Sequence, residues 1–263
     1  MDAWSTGDRY EPYIGRWSRP VGREFVSWLE PVPSRRWCDV GCGTGALAGV
    51  VLDAAGPASV VGVDPSPGYL DYARARLPVR RVDLRVGDAL ALPLPDAAVD
   101  YVVSGLVLNF VSDPTAALAE MIRIAAGDGT IATYVWDYGE GMQLIRRFWD
   151  AAIAQDTAAA ERDEAVRFPL CRPGELGRLF ADGGLAHVET REIVVRTVFA
   201  DFDDYWSPFL GGDAPAPGYC AALSDDARER LRVRLEATLP TQPDGSIHLT
   251  ARAWAAKGGV PPA

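Results

Sequence analysis

The chain of 263 residues is poor in histidine, cysteine and methionine, and it contains a single lysine, Lys257. The two histidines, His187 and His248, are too few for a histidine-rich metal site. The four cysteines lack zinc-type spacing. No carboxylate cluster has the spacing of a cation site, so we expect no metal. We interpret the cysteines as free thiols, which favours a cytoplasmic location.

Positive charge is also scarce. Lysine and arginine total 26 against 36 acidic residues, so the net charge is −10. This balance disfavours nucleic acid and anionic membrane surfaces as partners. The longest uncharged apolar stretch, 101–112, is too short to span a bilayer, and the N-terminus does not resemble a signal peptide. The length suits one α/β domain with additions, or at most two small domains, and we expect a monomer or a homodimer that binds a small molecule.

Predicted strands and helices alternate between residues 35 and 138. Such alternation is typical of a parallel sheet with helices on both faces. The predicted strands are 35–41, 59–64, 82–88, 129–138 and 246–257; the segment 99–110 opens as a buried strand, and one more strand lies in the second half of 172–199. The predicted helices are 21–30, 44–56, 67–77, 114–126, 141–160 and 224–239, with Ser224 as an N-cap, and one more in the first half of 172–199.

The pattern divides the chain into a core and added segments within a single domain, 1–263. We assign 21–138 to the cofactor-binding core and 171–200 and 223–263 to the remainder of the core. The aromatic segment 1–20 and the insertions 139–170 and 201–222 are expected to form helical lid pieces. We expect these pieces above the carboxyl ends of the strands.

A glycine-rich turn follows the first predicted strand. It reads Asp39-Val40-Gly41-Cys42-Gly43-Thr44-Gly45, between a strand and a helix. Glycines at this point let the backbone approach a ligand closely. Because the turn also fits G-x-G-x-x-A through Ala46, the loop alone leaves a nicotinamide or flavin site open. A tight turn without a ligand is a further alternative.

Three aspartates follow three successive strands. Asp39, just before the glycines, suits an ammonium group better than a pyrophosphate, which it would repel. Asp64 ends the second strand, where a carboxylate can accept from two ribose hydroxyls. Asp88 follows the third and could accept from an adenine amino group. The plainer alternatives are a capping carboxylate, a surface aspartate and a turn residue, respectively.

These segments together resemble a known family. DVGCGTG, VVGVDPSPGYLDYARARL and GDALALPLPDAAVDYVVSGLVLNFVSDP are similar to class I S-adenosylmethionine-dependent methyltransferases, above all to the ubiquinone/menaquinone-biosynthesis group. The resemblance covers roughly residues 10–136. It implies a Rossmann-like three-layer α/β/α sandwich, with a seven-stranded, mostly parallel sheet and an antiparallel last strand. It also implies S-adenosyl-L-methionine as cofactor and S-adenosyl-L-homocysteine as its product.

The resemblance assigns cofactor contacts to the strand ends. The loop backbone would run under the methionine and ribose, Pro65 and Tyr69 would pack near the adenine, and the Ala89 amide would read its edge. The Ser104 carbonyl and Leu106 would face the methionine amine. The cofactor residues expected in all are Tyr13, Arg16, Asp39, Gly41, Cys42, Gly43, Asp64, Pro65, Tyr69, Asp88, Ala89, Ser104 and Leu106.

Arg16 is assigned to the cofactor site for a different reason. The methionine end of the cofactor has a carboxylate, and the glycine loop offers no cation for it. Arg16 lies between Tyr13 and Trp17, in a segment that is unusually apolar for an N-terminal extension, and a guanidinium can bind a carboxylate through two parallel hydrogen bonds. Similar sequences have a comparable Gly-Arg-aromatic segment. The alternative is a solvated surface arginine.

Catalytic residues are harder to assign. The candidates are Asp137, Tyr138 and Asn109; Asp137 and Tyr138 follow the fifth strand and are ionisable, and the favoured alternative for these two is a polar turn at the strand end. Related sequences often have histidine at position 109, where this chain has Asn109. The aromatic residues outside the core predict an apolar substrate pocket if their segments fold over the strand ends. The alternative is that half of them pack a small core of the lid itself. The residues expected to line it are Trp17, Asn109, Trp136, Trp149, Trp206 and Phe209.

The sequence therefore predicts methyl transfer to a small, apolar or aromatic metabolite. In-line displacement from a sulfonium needs mainly positioning and desolvation. Two alternatives stay open: a nicotinamide-dependent Rossmann oxidoreductase, and a non-catalytic module that senses a ligand.

Overall fold

One seven-stranded sheet organises the residues described by the computed structural model, which are 11–78, 81–211 and 214–261. Its strand order is β3-β2-β1-β4-β5-β7-β6, and the last strand is antiparallel. The strands are β1 (Arg36–Val40), β2 (Ser59–Asp64), β3 (Val82–Val86), β4 (Val99–Gly105), β5 (Ala125–Trp136), β6 (Ala186–Phe199) and β7 (Ile247–Gly259). The predicted Rossmann-like class is confirmed. Residues 1–10 of the predicted N-terminal lid segment lie outside the described residues.

Helices flank the sheet and are numbered in chain order. They are α1 (Arg16–Leu29), α2 (Ala46–Ala54), α3 (Pro67–Arg76), α4 (Pro114–Ile124), α5 (Gln143–Gln155), α6 (Glu164–Arg167), α7 (Glu175–Asp182), α8 (Phe202–Trp206), α9 (Pro215–Ala222) and α10 (Asp225–Thr238). Short 3-10 turns cover Leu108–Phe110, Thr157–Arg162, Pro169–Cys171 and Ser207–Gly211, and a π-helical turn covers Glu11–Gly15.

Side-chain caps explain where several helices begin. Ser66 accepts from the Tyr69 amide and Asp113 accepts from the Ala116 amide, each just before a proline in the first helical turn. Ser224 caps α10 as predicted. The helix predicted over 141–160 is present but shorter, because α5 spans Gln143–Gln155. The Asp156 side chain then accepts from the Ala158 amide and starts a 3-10 turn.

The described residues form two compact units. The sheet unit comprises Ser18–Val135, Pro173–Ile193 and the described part of Ala253–Ala263. The aromatic unit comprises Trp136–Arg172, Val194–Arg252 and the described residues up to Trp17.

The middle of the sheet is parallel and buried. β1 pairs with β2 through Asp39 opposite Gly62, and with β4 through Asp39 opposite Val103. Gly62 cannot be replaced without movement, since an added Cβ would lie 2.9 Å from the Cys42 sulfur. This register brings the carboxyl ends of β1, β2 and β4 together, and the predicted loop and aspartates follow these ends.

Candidate functional site

The glycine loop between β1 and α2 has the tight backbone that its sequence predicts. Gly41, Gly43 and Gly45 all have positive φ angles. An added Cβ at Gly41 would lie 2.5 Å from a methyl of Val107, whereas one at Gly43 would meet no atom closer than 4.0 Å. Gly41 therefore allows close packing against the residues after β4, and Gly43 leaves open space beside the loop.

Asp39 lies at the end of β1 and is buried without a hydrogen-bonding partner. It is 1% exposed, and among the described residues neither carboxylate oxygen has a partner within hydrogen-bond distance. Burial raises the pKa of Asp39 to about 7. The nearby Ala48 amide, which does not meet hydrogen-bond geometry, opposes part of the rise, and the charge of Asp64 adds to it. A buried carboxylate without a partner is costly, so this position is suited to a ligand with a cationic donor.

Asp64 ties β2 to the glycine loop. Its Oδ2 accepts from the Gly43 amide at 2.9 Å, and its Oδ1 accepts from the Ser66 amide at 2.9 Å. Burial raises the pKa of Asp64, and these two hydrogen bonds oppose the rise. Because each carboxylate oxygen has a second lone pair, the side chain can hold the loop and still accept from a ligand.

The turn after β3 follows the sequence motif Gly87-Asp88-Ala89. Gly87 is crowded, because an added Cβ would lie 2.8 Å from a methyl of Val63. The exposed Asp88 carboxylate accepts from the Leu90 amide at 2.9 Å, which is the turn-forming role named as the alternative. A carboxylate in such a turn retains an acceptor oxygen, so its predicted contact with adenine stays a prediction.

Two predicted residues at the end of β4 have special backbone or packing environments. Ser104 is fully buried; its hydroxyl donates to the Val40 carbonyl and its own carbonyl accepts from the Thr133 hydroxyl. Leu106 has a φ of 63°, which is unfavourable for a bulky residue, and its amide donates to the Tyr134 carbonyl at 2.8 Å. Strained backbone of this kind is common beside ligands.

Three further predicted positions lie near these strand ends in the sequence. Asn109 is half-buried, and its Nδ2 has no hydrogen-bonding partner among the described residues. Tyr69 is half-buried on α3, and Pro65 is exposed. Asn109 therefore has a free donor beside the strained Leu106 turn, which suits a polar ligand atom.

Arg16 belongs to the aromatic unit and is held by neighbours there. Its Nη1 pairs with Asp204 Oδ1 at 2.8 Å. Its guanidinium lies 4.7 Å from the Trp17 ring centroid and 4.6 Å from that of Phe199. The Nε and Nη2 atoms are buried and have no hydrogen-bonding partner in the described parts of the chain. Arg16 is thus not the freely solvated arginine of the alternative, and two of its donors are available to an anion.

The two ionisable candidates after β5 are both buried. The Asp137 carboxylate pairs with Arg252, with Nη2 to Oδ2 at 2.6 Å, and it also accepts from the Gly139 and Glu140 amides. These contacts favour a structural role, because they use both oxygens. The Tyr138 ring packs against Phe168, with centroids 5.8 Å apart.

The predicted pocket residues of the aromatic unit are buried or half-buried. Phe209 stacks on Phe148 at 4.5 Å, and its ring lies 5.5 Å from Tyr13. Trp206 lies 6.1 Å from Phe209. The Trp17 and Trp136 indole nitrogens are buried without hydrogen-bonding partners among the described residues. The rings of Phe148, Phe209 and Tyr13 therefore form a packed cluster within this unit.

Sequence reasoning missed one residue of this unit, Glu164. It is 2% exposed, and its carboxylate accepts from the Trp149 indole N–H. Burial raises the pKa of Glu164 to about 7. The flanking sequence is typical of a solvated helix start, so no local pattern distinguishes this glutamate from its exposed neighbours.

The described residues contain no group of side chains suited to holding a metal ion and no helix able to cross a membrane. Their four cysteines are buried and unbridged.

A mostly parallel sheet with a glycine loop after its first strand and aspartates at its strand ends is the arrangement of Rossmann-like proteins, which bind ligands at these strand ends. Comparison with known proteins indicates which kind of Rossmann-like protein the chain resembles. The family described as "Methyltransferase domain" matches residues 38–133. This match supports the resemblance of the chain to the class I S-adenosylmethionine-dependent methyltransferases.

Relatives by sequence differ in what their names say they methylate. A malonyl-(acyl-carrier protein) O-methyltransferase of Serratia marcescens is 31% identical over 160 residues, which are 56% of this chain and 61% of that protein. A demethylmenaquinone methyltransferase of Thermus thermophilus is 37% identical over 118 residues, 44% of this chain and 52% of that protein. The chain thus spans only about half to three-fifths of these curated relatives.

Solved structures support the fold. Phosphoethanolamine N-methyltransferase 2 of Haemonchus contortus, in complex with S-adenosyl-L-methionine, matches with a TM-score of 0.56 and 17% identity. The match covers 92% of this chain and 52% of that one. At this identity the likeness concerns the fold alone.

Proposed function

We propose that the protein transfers a methyl group from S-adenosyl-L-methionine to a small metabolite. The single observation that supports this most is the buried carboxylate of Asp39, which lacks a partner beside the glycine loop. The methionine end of this cofactor has an ammonium group that would supply the missing cation. Asp64 would hold the ribose hydroxyls, and the open space at Gly43 admits the ligand beside the backbone.

When bound, this cofactor supplies an electrophilic methyl group on a sulfonium. The residues of the chain then bind and orient the cofactor and the acceptor and exclude water; they need not activate the methyl group. Asp39 fixes the amino acid end, and Asp64 keeps the loop in place through the Gly43 amide. We assign no general base among Asp137, Tyr138 and Asn109, because the Asp137 oxygens already have partners.

The nicotinamide alternative is disfavoured by the same carboxylate. A pyrophosphate beside the loop would be repelled by Asp39, which has no compensating cation among the described residues. The aromatic cluster Tyr13, Phe148 and Phe209 supports an apolar or aromatic acceptor. We further propose a cytoplasmic location, in keeping with the unbridged cysteines.

The test is calorimetric titration of the full chain with S-adenosyl-L-homocysteine and, separately, with NADH. We expect the former to bind and to raise thermal stability, by about 2.7 kcal/mol at a hundred times its dissociation constant. Asp39→Asn should remove most of this effect. Binding of NADH alone would overturn the proposal, and turnover on an amine and phenol collection separates an enzyme from a sensing module.

A further inference from the structure

Asp39 is a buried carboxylate for which the sheet unit supplies no partner. It is 1% exposed, and within the described parts of the chain neither of its oxygens has a hydrogen-bonding partner. The Ala48 amide lies nearby without meeting hydrogen-bond geometry. A negative charge in this position has neither water nor a close donor to stabilise it. Without a ligand, the carboxyl group is therefore more stable with a proton than without one.

The titratable groups that face Asp39 on β1, β2 and the loop do not favour its ionisation. Asp64, at the end of the neighbouring strand β2, acts on it as a second negative charge. Cys38 on β1 and Cys42 in the loop are buried thiols. Burial and the charge of Asp39 raise the pKa of both thiols, so they stay uncharged. None of these three groups offsets a charge on Asp39.

The other elements around β1 supply no counter-ion either. Val103 of β4, the residue opposite Asp39, is apolar. Arg85 on β3 pairs with Asp83 at 2.7 Å, and Arg19 of α1 reaches the side of α2 and is exposed. Among the described residues no arginine or lysine forms an ion pair with Asp39. A cation for this carboxylate has to come from a ligand.

A ligand can approach this carboxylate along the glycine loop. An added Cβ at Gly43 would meet no atom closer than 4.0 Å, so the space beside the loop is open. Asp64 accepts from the Gly43 amide and so borders this space, and its charge also acts on Asp39. An ammonium group placed there would favour the ionised form of Asp39, by direct contact or through one bridging water.

We propose that Asp39 is a proton switch in the cofactor site: it is neutral before the cofactor binds and ionised in the complex, so that one proton is released to solvent for each cofactor bound. The proton leaves the carboxyl oxygen, and the ammonium group of the methionine end balances the charge that remains. This inference rests on the proposed function, and it makes cofactor binding dependent on pH near neutrality.

The pKa of Asp39 sets the pH range over which binding changes. Burial raises this pKa to about 7, against an ordinary value of 3.8. The fraction of protein with an ionised Asp39 then rises from roughly 0.1 at pH 6 to roughly 0.75 at pH 7.5, and the apparent affinity follows this fraction. Cofactor binding should therefore strengthen by about eightfold as the pH rises over this range.

The experiment compares two ligands that share adenine, ribose and sulfur. S-adenosyl-L-homocysteine has the ammonium group, whereas 5′-methylthioadenosine lacks the whole amino acid end. Each is titrated calorimetrically into the full chain at pH 6 and pH 7.5, in two buffers of different ionisation enthalpy, which gives the number of protons released. We expect S-adenosyl-L-homocysteine to release about 0.9 proton at pH 6 and to bind about eightfold more tightly at pH 7.5. We expect 5′-methylthioadenosine to do neither.

Two variants identify the group that loses the proton. Asp39→Asn should bind S-adenosyl-L-homocysteine more weakly, with no pH dependence and no proton release, and should bind 5′-methylthioadenosine as the unaltered chain does. Asp53→Asn is the matched control, because Asp53 is an exposed aspartate on α2, the helix that follows the loop. It should leave the binding of both ligands unchanged.

Three results would overturn the proposal. They are equal affinity for S-adenosyl-L-homocysteine at both pH values, the same proton release with 5′-methylthioadenosine, and proton release that persists in Asp39→Asn. The second result would assign the titration to Asp64, which both ligands would contact through the ribose. Failure of both ligands to bind the unaltered chain is a different outcome, since it contradicts the proposed function itself.

Discussion

The Asp64 carboxylate accepts a hydrogen bond from the Gly43 amide at 2.9 Å, and so fixes the glycine loop against the end of β2. The same carboxylate accepts from the Ser66 amide at the start of α3. A residue predicted to bind the ribose is therefore also a structural tie between two strand ends. Changes at Asp64 should affect loop order and ligand affinity together.

Replacement of Asp64 tests this double role. Asp64→Ala should weaken S-adenosyl-L-homocysteine binding by about 2–3 kcal/mol, because charged hydrogen bonds contribute on that order. It should also lower thermal stability, since two amides lose their acceptor. Calorimetry and thermal unfolding measure the two effects. Asp83→Ala, which removes an exposed aspartate paired with Arg85, is the control and should change neither. Full ligand affinity in folded Asp64→Ala would remove Asp64 from the site.

Local sequence predicted the strand ends well because the signals there are local. A short apolar run ends in glycines or an aspartate, and the parallel register then brings Asp39 opposite Gly62. Glu164 could not be predicted in this way, because its burial depends on Trp149, fifteen positions away. The Arg16–Asp204 pair joins residues 188 positions apart, which no periodic pattern records.

The Asp39 carboxylate should lower the stability of the ligand-free protein while it strengthens ligand binding. Its folded pKa of about 7 lies above the ordinary value of 3.8, so the folded state holds this proton more tightly than the unfolded state does. The ligand-free protein should then lose stability as the pH rises from about 4 to 7. Asp39→Asn should match the unaltered chain near pH 4 and exceed it at pH 8, while binding S-adenosyl-L-homocysteine far more weakly. Denaturant unfolding at both pH values measures the first effect. A variant that is less stable at pH 8 would contradict the assignment of a costly buried charge.

Metal removal should have no effect on the site. No group of side chains suited to a metal ion occurs among the described residues, and the binding argument uses only Asp39, Asp64 and the loop backbone. S-adenosyl-L-homocysteine affinity and, once an acceptor is known, turnover should therefore be the same with and without EDTA. Activity that is lost on chelation and restored by Mg²⁺ would show that a cation takes part.

Phe209 should matter for stability more than the pocket prediction implies. It is fully buried and stacks on Phe148 at 4.5 Å, so Phe209→Ala should cost about 3–5 kcal/mol of unfolding free energy. Phe110→Ala is a matched control, since Phe110 is 44% exposed and its loss should cost under about 0.5 kcal/mol. Equal effects in chemical denaturation would mean that the Phe209 ring is not part of a packed core.

Trp206→Ala, at the edge of the same cluster, should raise the substrate KM and leave cofactor affinity within a few-fold.

Arg16 combines an ion pair with Asp204 and a predicted contact with the cofactor carboxylate. Its Nη1 pairs with Asp204, while Nε and Nη2 are buried without partners among the described residues. If those two donors bind the cofactor carboxylate, Arg16→Ala should weaken S-adenosyl-L-homocysteine binding by about 1.5–3 kcal/mol, and Arg16→Lys should restore only part because lysine lacks the planar pair of donors. Asp204→Asn separates the two roles, since it breaks the ion pair and keeps the guanidinium. We expect Asp204→Asn to lower thermal stability modestly and to leave ligand affinity within a few-fold. Calorimetry on the three variants decides the matter: equal, undiminished affinity in all of them would assign Arg16 to the structure of the aromatic unit alone.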